Sequence, residues 1–179
     1  MTAMLRSVLV AAVALLWAAP PARADLAIQE VTSPGGITAW LVEDHGIPFV
    51  SLEIRFLGGT SLDASAKRGA VYLMAGLLEE GAGTMDSRGF AEARDALAAE
   101  FRFDTGSDTV SVSARMLTEN RDQALALLHE ALVTPRFDQA ALDRVREQVL
   151  SGLRADLKDP NSIAPHLFDA LASGPPPSA

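Results

Sequence analysis

The amino-acid sequence predicts an α+β fold in which paired helices pack on a mostly antiparallel sheet. Strand-like segments occur in groups joined by short turns, at residues 26–59 and 100–117, and helix-like segments follow each group in pairs. Strands joined by hairpins form antiparallel sheets, whereas parallel strands need long crossover connections. The predicted order of elements is β-β-β-α-α-β-β-α-α, followed by the start of another helix at residues 161–172.

Turn residues divide the first group into three strands. The sequence SPGG at residues 33–36 separates the first two strands, and EDHGIP at residues 43–48 separates the second from the third. Apolar and polar residues alternate from residue 50 to residue 56, which is the pattern of a strand with one buried face. Gly58 and Gly59 are expected to end this strand.

Glycine and serine residues mark the limits of the first helix pair. A helix from about residue 66 to residue 80 is expected to be closed by Gly81. The second helix of the pair covers about residues 87–99, and Ser87 is a suitable N-cap for it.

A hairpin and a second helix pair complete the pattern. Residues 100–117 alternate around the sequence DTGSD at residues 104–108, as expected of two strands and a turn. Two amphipathic helices follow, the first stopped by Pro135 and the second by Pro160.

Residues 1–24 are predicted to be a signal peptide. Arg6 precedes an apolar run at residues 8–19, and the sequence ARA ending at Ala24 offers small residues for cleavage. The apolar run is shorter than the roughly 20 residues that span a bilayer. We therefore expect an exported protein, periplasmic or secreted, that has no membrane segment after cleavage.

The mature chain is expected to contain one domain, residues 25–171, and a Pro-rich disordered tail, residues 172–179. The full sequence has a formal net charge of −8. The mature chain has −10, because the signal peptide holds two arginines and no acidic residue. Such an acidic chain is not expected to bind nucleic-acid phosphates. The absence of cysteine excludes disulfides and thiolate metal ligands.

Few side chains in the sequence suggest catalysis. The three histidines, His45, His129 and His166, are far apart and are expected to be surface or packing residues, since a zinc site without cysteine normally needs two or three histidines. Between Arg68 and Glu79 only Tyr72 is a candidate, and a weak one, for metal binding or proton transfer.

Three further groups are weak candidates. Glu79 and Glu80 point about 100° apart on a helix, which favours a solvated helix end over an acid/base pair. Ser111 and Ser113 have no predicted base nearby, so a serine nucleophile is not expected. The sequence Gly58-Gly59-Thr60 lacks the lysine of a phosphate-binding loop and is only a weak nucleotide motif.

Three stretches occur in a distinctive order: LGGTSLD at residues 57–63, RGAVYLMAGLLEEGAGT at residues 68–84, and Pro135-Arg136-Phe137 before the longest helix. Together, over roughly residues 26–170, they resemble the pitrilysin/insulinase family of zinc metallopeptidases. The resemblance implies the fold of that family's N-terminal domain.

Active members of that family carry His-x-x-Glu-His on the helix that matches residues 66–80, and a third glutamate ligand on the long helix. The histidines bind zinc and the first glutamate activates water. The match places Tyr72 and Gly76 at the histidine positions, Ala75 at the general base and about Gly152 at the third ligand. The resemblance therefore implies an active-site helix rebuilt as core, with no catalytic residue, metal ligand or cofactor.

The loss of every ligand resembles the non-catalytic members of the family. The resemblance implies a subunit that pairs with a zinc-bearing catalytic subunit, helps to bind a peptide and closes a chamber around it. Two alternatives stay open: a metallopeptidase with displaced ligands such as His45, Glu79 or Glu80, and a non-functional truncated fragment. The second alternative arises because family members usually continue into a second domain, where this sequence gives SGPPPSA.

Overall fold

The computed structural model describes residues 27–173. The predicted signal peptide, residues 1–24, and residues 174–179 of the predicted tail lie outside the described residues. The chain divides between Ile47 and Pro48 into two compact units, and each is described by itself.

The first unit is a β-hairpin. Strand β1 (Ile28–Thr32) pairs antiparallel with β2 (Thr38–Val42), with Ile28 opposite Val42 and Thr32 opposite Thr38. The predicted SPGG turn joins them: the Ile37 N–H donates to the Ser33 Oγ at 3.0 Å, and Gly36 has φ +84°. A left-handed φ favours glycine at this position.

The second unit contains a three-stranded antiparallel sheet. Strand β3 (Phe49–Leu57) and strand β6 (Glu100–Thr105) both pair with the central strand β7 (Thr109–Leu117), which gives the order β3-β7-β6. A separate short ladder joins β4 (Gly81–Ala82) to β5 (Met85–Asp86). All pairs are antiparallel, as the sequence predicts.

Five helices accompany the sheet in the described part of the chain. They are α1 (Ala70–Leu77), α2 (Ser87–Ala96), α3 (Arg121–Val133), α4 (Gln139–Asp156) and α5 (Pro160–Ser173). Short 3-10 turns occur at Thr60–Leu62, Ser65–Lys67 and Thr118–Asn120. None of the helices between residues 27 and 173 has the length and apolar character needed to cross a membrane. The α+β prediction is confirmed.

The main core lies between one face of the sheet and helices α2 and α3. Alternate residues of β7 point into it, and its largest fully buried side chains are Phe90, Val112 and Met116. Phe90 of α2 packs beside Phe101 of β6, with ring centroids 6.4 Å apart. This arrangement follows from the period-two alternation of the strands.

A second, smaller core lies between α1 and α4. Its buried members are Leu77, Ala141 and Val145, and the partly buried Leu73, Leu142 and Val149 pack against them. Helix α4 therefore joins the domain mainly through α1.

The first helix pair differs from its predicted limits. The helix expected to reach residue 80 ends at Leu77, and the next residues lead into the β4–β5 turn. The N-cap of α2 is Asp86, whose carboxylate accepts from the Gly89 N–H at 2.8 Å. Ser87 does not cap the helix, because its hydroxyl donates to the Glu80 carbonyl at 2.8 Å.

Pro160 has a different role from the predicted one. Helix α4 ends at Asp156, four residues before it, and Pro160 is the first residue of α5. Proline is tolerated there because the first-turn N–H groups have no partner within the helix. Helix α5 extends to Ser173 and so includes the first two residues of the predicted tail.

Candidate functional site

The loop before α1 fixes the start of the candidate active-site helix. The Asp63 carboxylate accepts from the Gly69 N–H at 2.6 Å and from the Val71 N–H at 3.1 Å. Gly69 has φ +90°, a conformation that glycine adopts without strain. Asp63, the last residue of the LGGTSLD stretch, thus caps α1 from outside the helix.

The three positions of α1 that were matched to the family's catalytic residues differ in their exposure to solvent. Tyr72 and Gly76 are one helical turn apart and both are exposed, Tyr72 to 53%. Ala75 is buried, with 4% exposure. The expectation that this helix is rebuilt as core holds for Ala75 and is wrong for Tyr72, because the Tyr72 face of α1 is open to solvent.

A valine side chain stands beside Gly76. A Cβ added at Gly76 would lie 3.2 Å from the Cγ1 of Val145 on α4, which is closer than side chains normally pack. Gly152, the approximate position of the third ligand, is exposed on α4, and a Cβ there would meet no atom within 4 Å. Glu147 is exposed on the same helix.

These positions do not fit a zinc ion. The matched positions offer one phenol, one alanine and two glycines, whereas zinc needs imidazole, thiolate or carboxylate ligands. Among the side chains that the structure describes, no three histidine or acidic groups lie together so that they could hold a metal ion.

Glu79 and Glu80 follow α1 and bind two arginines from different helices. Arg94 of α2 donates through Nη1 to the Glu79 Oε2 at 2.5 Å, and Arg144 of α4 donates through Nη2 to the Glu80 Oε2. Arg144 also donates to the Ser87 Oγ at 3.3 Å. The prediction of a solvated helix end is wrong, because both carboxylates are partly buried in ion pairs.

Burial raises the pKa of the Glu79 carboxyl above its ordinary value, and the ion pair with Arg94 opposes this rise only in part. The adjacent Glu80 charge adds to the rise. Each of the two carboxylates is bound by a guanidinium group. In this arrangement neither carboxylate is free to act as a displaced metal ligand.

The second and third of the three family stretches meet in space. The Gly83 N–H donates to the Thr134 carbonyl at 2.9 Å, and the Arg136 N–H donates to the Gly81 carbonyl at 3.1 Å. Ala82 also forms an antiparallel bridge with Pro135. The GAGT turn and the PRF turn therefore hold the ends of two helix pairs together.

The Gly58-Gly59-Thr60 segment is hydrogen-bonded to the turn between β6 and β7. The N–H groups of Gly58 and Thr60 donate to the carbonyls of Asp108 and Gly106, at 2.7 and 3.0 Å. A Cβ at Gly59 would collide with the Gly106 carbonyl. These amide groups are already bonded to the β6–β7 turn, so they cannot cradle a phosphate.

Ser113 has a neighbour that the sequence did not reveal. Its Oγ donates at 2.5 Å to the Oε2 of Glu53, its cross-strand partner on β3. This hydrogen bond, together with Arg55, lowers the pKa of the exposed Glu53 carboxyl, which makes it a weak base. The expectation of no base near Ser113 is corrected, but the pair does not form an activated nucleophile. The pairing register of β3 and β7 places Glu53 opposite Ser113. The sequence alone does not give this register.

The three histidines lie in different parts of the chain. The His45 side chain is 89% exposed, and its Nε2 lies 3.5 Å from the Oε2 of Glu43 in the first unit. His129 is exposed on α3, in the second unit. His166 belongs to α5, and its side chain is not among those the structure describes.

The chain matches a known protein family over most of its length. The model of the insulinase family, peptidase family M16, matches residues 39–173. A Helicobacter pylori protein named "Non-peptidase homolog YmxG" is 32% identical over 111 residues, which are 62% of this chain and 26% of that protein.

Solved structures have the same fold. A crystal structure of a peptidase M16 inactive domain from Pseudomonas fluorescens superposes with a TM-score of 0.74 and 27% identity, over 81% of this chain and 35% of that one. A protease from Helicobacter pylori gives a TM-score of 0.65 at 14% identity, over 77% of this chain and 33% of that one, which shows the fold alone.

The chain spans about a quarter to a third of the length of these relatives. Its relatives include a protein named as a non-peptidase homologue and a peptidase M16 inactive domain. The chain belongs to the insulinase family, peptidase family M16, and forms an M16-like domain of the inactive type.

Proposed function

We propose that this chain is a non-catalytic component of an exported M16 peptidase assembly. In this role it pairs with a zinc-bearing catalytic subunit, contributes to the binding of a peptide and helps to close the chamber in which the peptide is cleaved. The chain itself provides no metal site and carries out no hydrolysis.

One observation carries the proposal: helix α1 keeps its place in the fold while its chemistry is absent. Asp63 caps the helix, and the GAGT turn after it is bonded to the PRF turn. The positions for metal and base nevertheless hold Tyr72, Ala75 and Gly76. A framework kept without its ligands suits binding and assembly better than catalysis.

The surface of α1 supports a role in peptide contact. Tyr72 is 53% exposed and carries an aromatic ring and a hydroxyl group, which suit contact with an extended chain. Export is supported by the signal-peptide pattern of residues 1–24.

The first test measures zinc and activity in the chain alone. The full-length gene is expressed with its leader in a bacterial host, and the exported product is purified. We expect well below one zinc ion per chain by mass spectrometry and no chelator-sensitive hydrolysis of a quenched peptide library. One zinc per chain together with activity that is lost in Glu80→Gln contradicts the proposal and favours displaced ligands.

The second test measures assembly. The chain is co-expressed with a zinc-bearing M16 subunit from the same organism, and the mixture is analysed by size-exclusion chromatography with light scattering. We expect a one-to-one complex whose peptidase activity exceeds that of the catalytic subunit alone. Two separate peaks and unchanged activity contradict the assembly role.

Peptide contact by Tyr72 is tested in that complex. Tyr72→Ala should raise the KM for the peptide, and Leu125→Ala, on the partly exposed surface of α3, is the matched control. If both variants have the same KM as the original complex, α1 has no part in peptide binding.

A further inference from the structure

Helix α4 is held to the domain by a core separate from the main one. The main cluster contains side chains of the sheet, α2 and α3, whereas α4 contributes to the small cluster around Leu77, Ala141 and Val145. Free energies of local opening follow the density of buried contacts, so two separate clusters can open separately.

The rest of α4 adds little packing. Beyond Val149, the side chain of Leu153 is 54% exposed, and that of Leu157, the C-cap residue just after α4, is 76% exposed. A helix of 18 residues without a packing partner is only marginally stable in water. An α4 that leaves α1 therefore loses most of its helical structure as well.

One ion pair crosses from α4 to the segment that follows α1. Arg144 donates to the Glu80 carboxylate and to the Ser87 Oγ. The Glu80 side chain is 21% exposed and the Arg144 side chain 53%, so the carboxylate side of this pair is partly shielded from water. We name the Arg144–Glu80–Ser87 contact the latch.

We propose that α4 is a strap that opens from α1 as a unit while the sheet, α2 and α3 stay folded, and that the latch sets how often it opens. Opening uncovers Leu73 and Leu77, so the side chains of α1 that pack against Val145 become an apolar surface. This inference rests on the packing of α4 and on the latch, and it does not depend on the proposed function.

Native-state hydrogen exchange on the full chain tests the strap. Amides of residues 142–149 in α4 are compared with amides of residues 110–116 in β7, at low urea concentrations. We expect the α4 amides to exchange about ten- to a hundredfold faster than those of β7, through an opening that depends less on urea than global unfolding does. Equal exchange rates with the same urea dependence in both segments overturn the proposal.

The latch has a matched control on the same helix. Arg144→Ala should speed exchange in α4 about three- to fivefold and leave β7 unchanged. Arg146→Ala should leave β7 unchanged and speed exchange in α4 by about twofold or less, because Arg146 pairs only within its own helix, with Asp143.

A milder variant guards against loss of folding. Arg144→Gln removes the charge but keeps a polar side chain that can donate a hydrogen bond, and it should speed α4 exchange by a smaller factor. If either Arg144 variant speeds β7 and α4 equally, or if Arg146→Ala acts as strongly as Arg144→Ala, the latch is not what holds the strap.

Discussion

The Cγ1 of Val145 lies 3.2 Å from the point where a Cβ on Gly76 would stand. The resemblance matches Gly76 to a zinc-ligand position of the family, and Val145 belongs to the long helix α4. The space for a larger side chain at Gly76 is therefore limited on one side by the packing of α4.

This contact predicts the effect of restoring a histidine. Gly76→His should reduce the free energy of unfolding by about 1–3 kcal/mol, because the larger side chain must displace Val145. Urea denaturation measures the change. The matched control is Gly152→His, where a Cβ meets open space, and it should change stability by less than about 0.5 kcal/mol.

A double-mutant cycle checks the cause. In a Val145→Ala background, the same Gly76→His substitution should cost at least about 0.5 kcal/mol less than in the original chain. An identical cost in both backgrounds shows that Val145 is not the obstacle.

The partly buried Glu79 predicts a pH dependence of stability. Its pKa is raised in the folded state, mainly by burial, so folding favours the protonated carboxyl. The stabilisation is complete below the pKa of the unfolded chain and is lost as the pH rises through the higher folded pKa. Relative to Glu79→Gln, the original chain should therefore become less stable as the pH increases from about 4 to 7. Urea midpoints at several pH values measure this difference.

The exposed Glu53 should behave in the opposite way and serves as the control. Its pKa is lowered in the folded state, so its contribution is present above the ordinary pKa of a glutamate and is lost as the pH falls through the folded value. The stability difference between the original chain and each variant should change with pH in opposite directions for Glu79→Gln and Glu53→Gln. A change in the same direction for both variants contradicts these assignments.

The hydrogen bond between Ser113 and Glu53 predicts a titration shift. It is the largest cause of the lowered pKa of Glu53, so Ser113→Ala should raise that pKa towards its ordinary value. Carbon-detected NMR of the carboxyl group measures the change. Ser111→Ala should leave the titration unaltered, because the cross-strand partner of Ser111 on β3 is Arg55.

The cap on α1 predicts a loss of stability. Asp63→Ala removes the acceptor for the Gly69 and Val71 N–H groups and should reduce the free energy of unfolding by about 1–2 kcal/mol. Asp63→Asn retains one side-chain carbonyl and should lose less. If the two variants are equally stable in urea, the hydrogen bonds to Asp63 do not hold the start of α1.

Local patterns were sufficient to predict most elements. The alternation in β3 and β7, the glycines around the turns and the two helix pairs all agree with the structure, because strand and helix periods are written in consecutive residues. One misplaced limit lies where two side chains compete. Asp86 takes the N-cap of α2 because the Ser87 hydroxyl is bonded to Glu80.

The sequence by itself determined the α+β class and the family, and it predicted that Tyr72, Ala75 and Gly76 stand at the family's catalytic positions. Only the tertiary structure decided which side chains lie beside this helix and the segment after it, namely Val145 beside Gly76 and Arg144 on Glu80, which lie far apart along the chain. Periodicity and turn residues act over a few positions and can be read in order. Contacts between two helices depend on how the sheet and turns place them, and no local pattern records that placement.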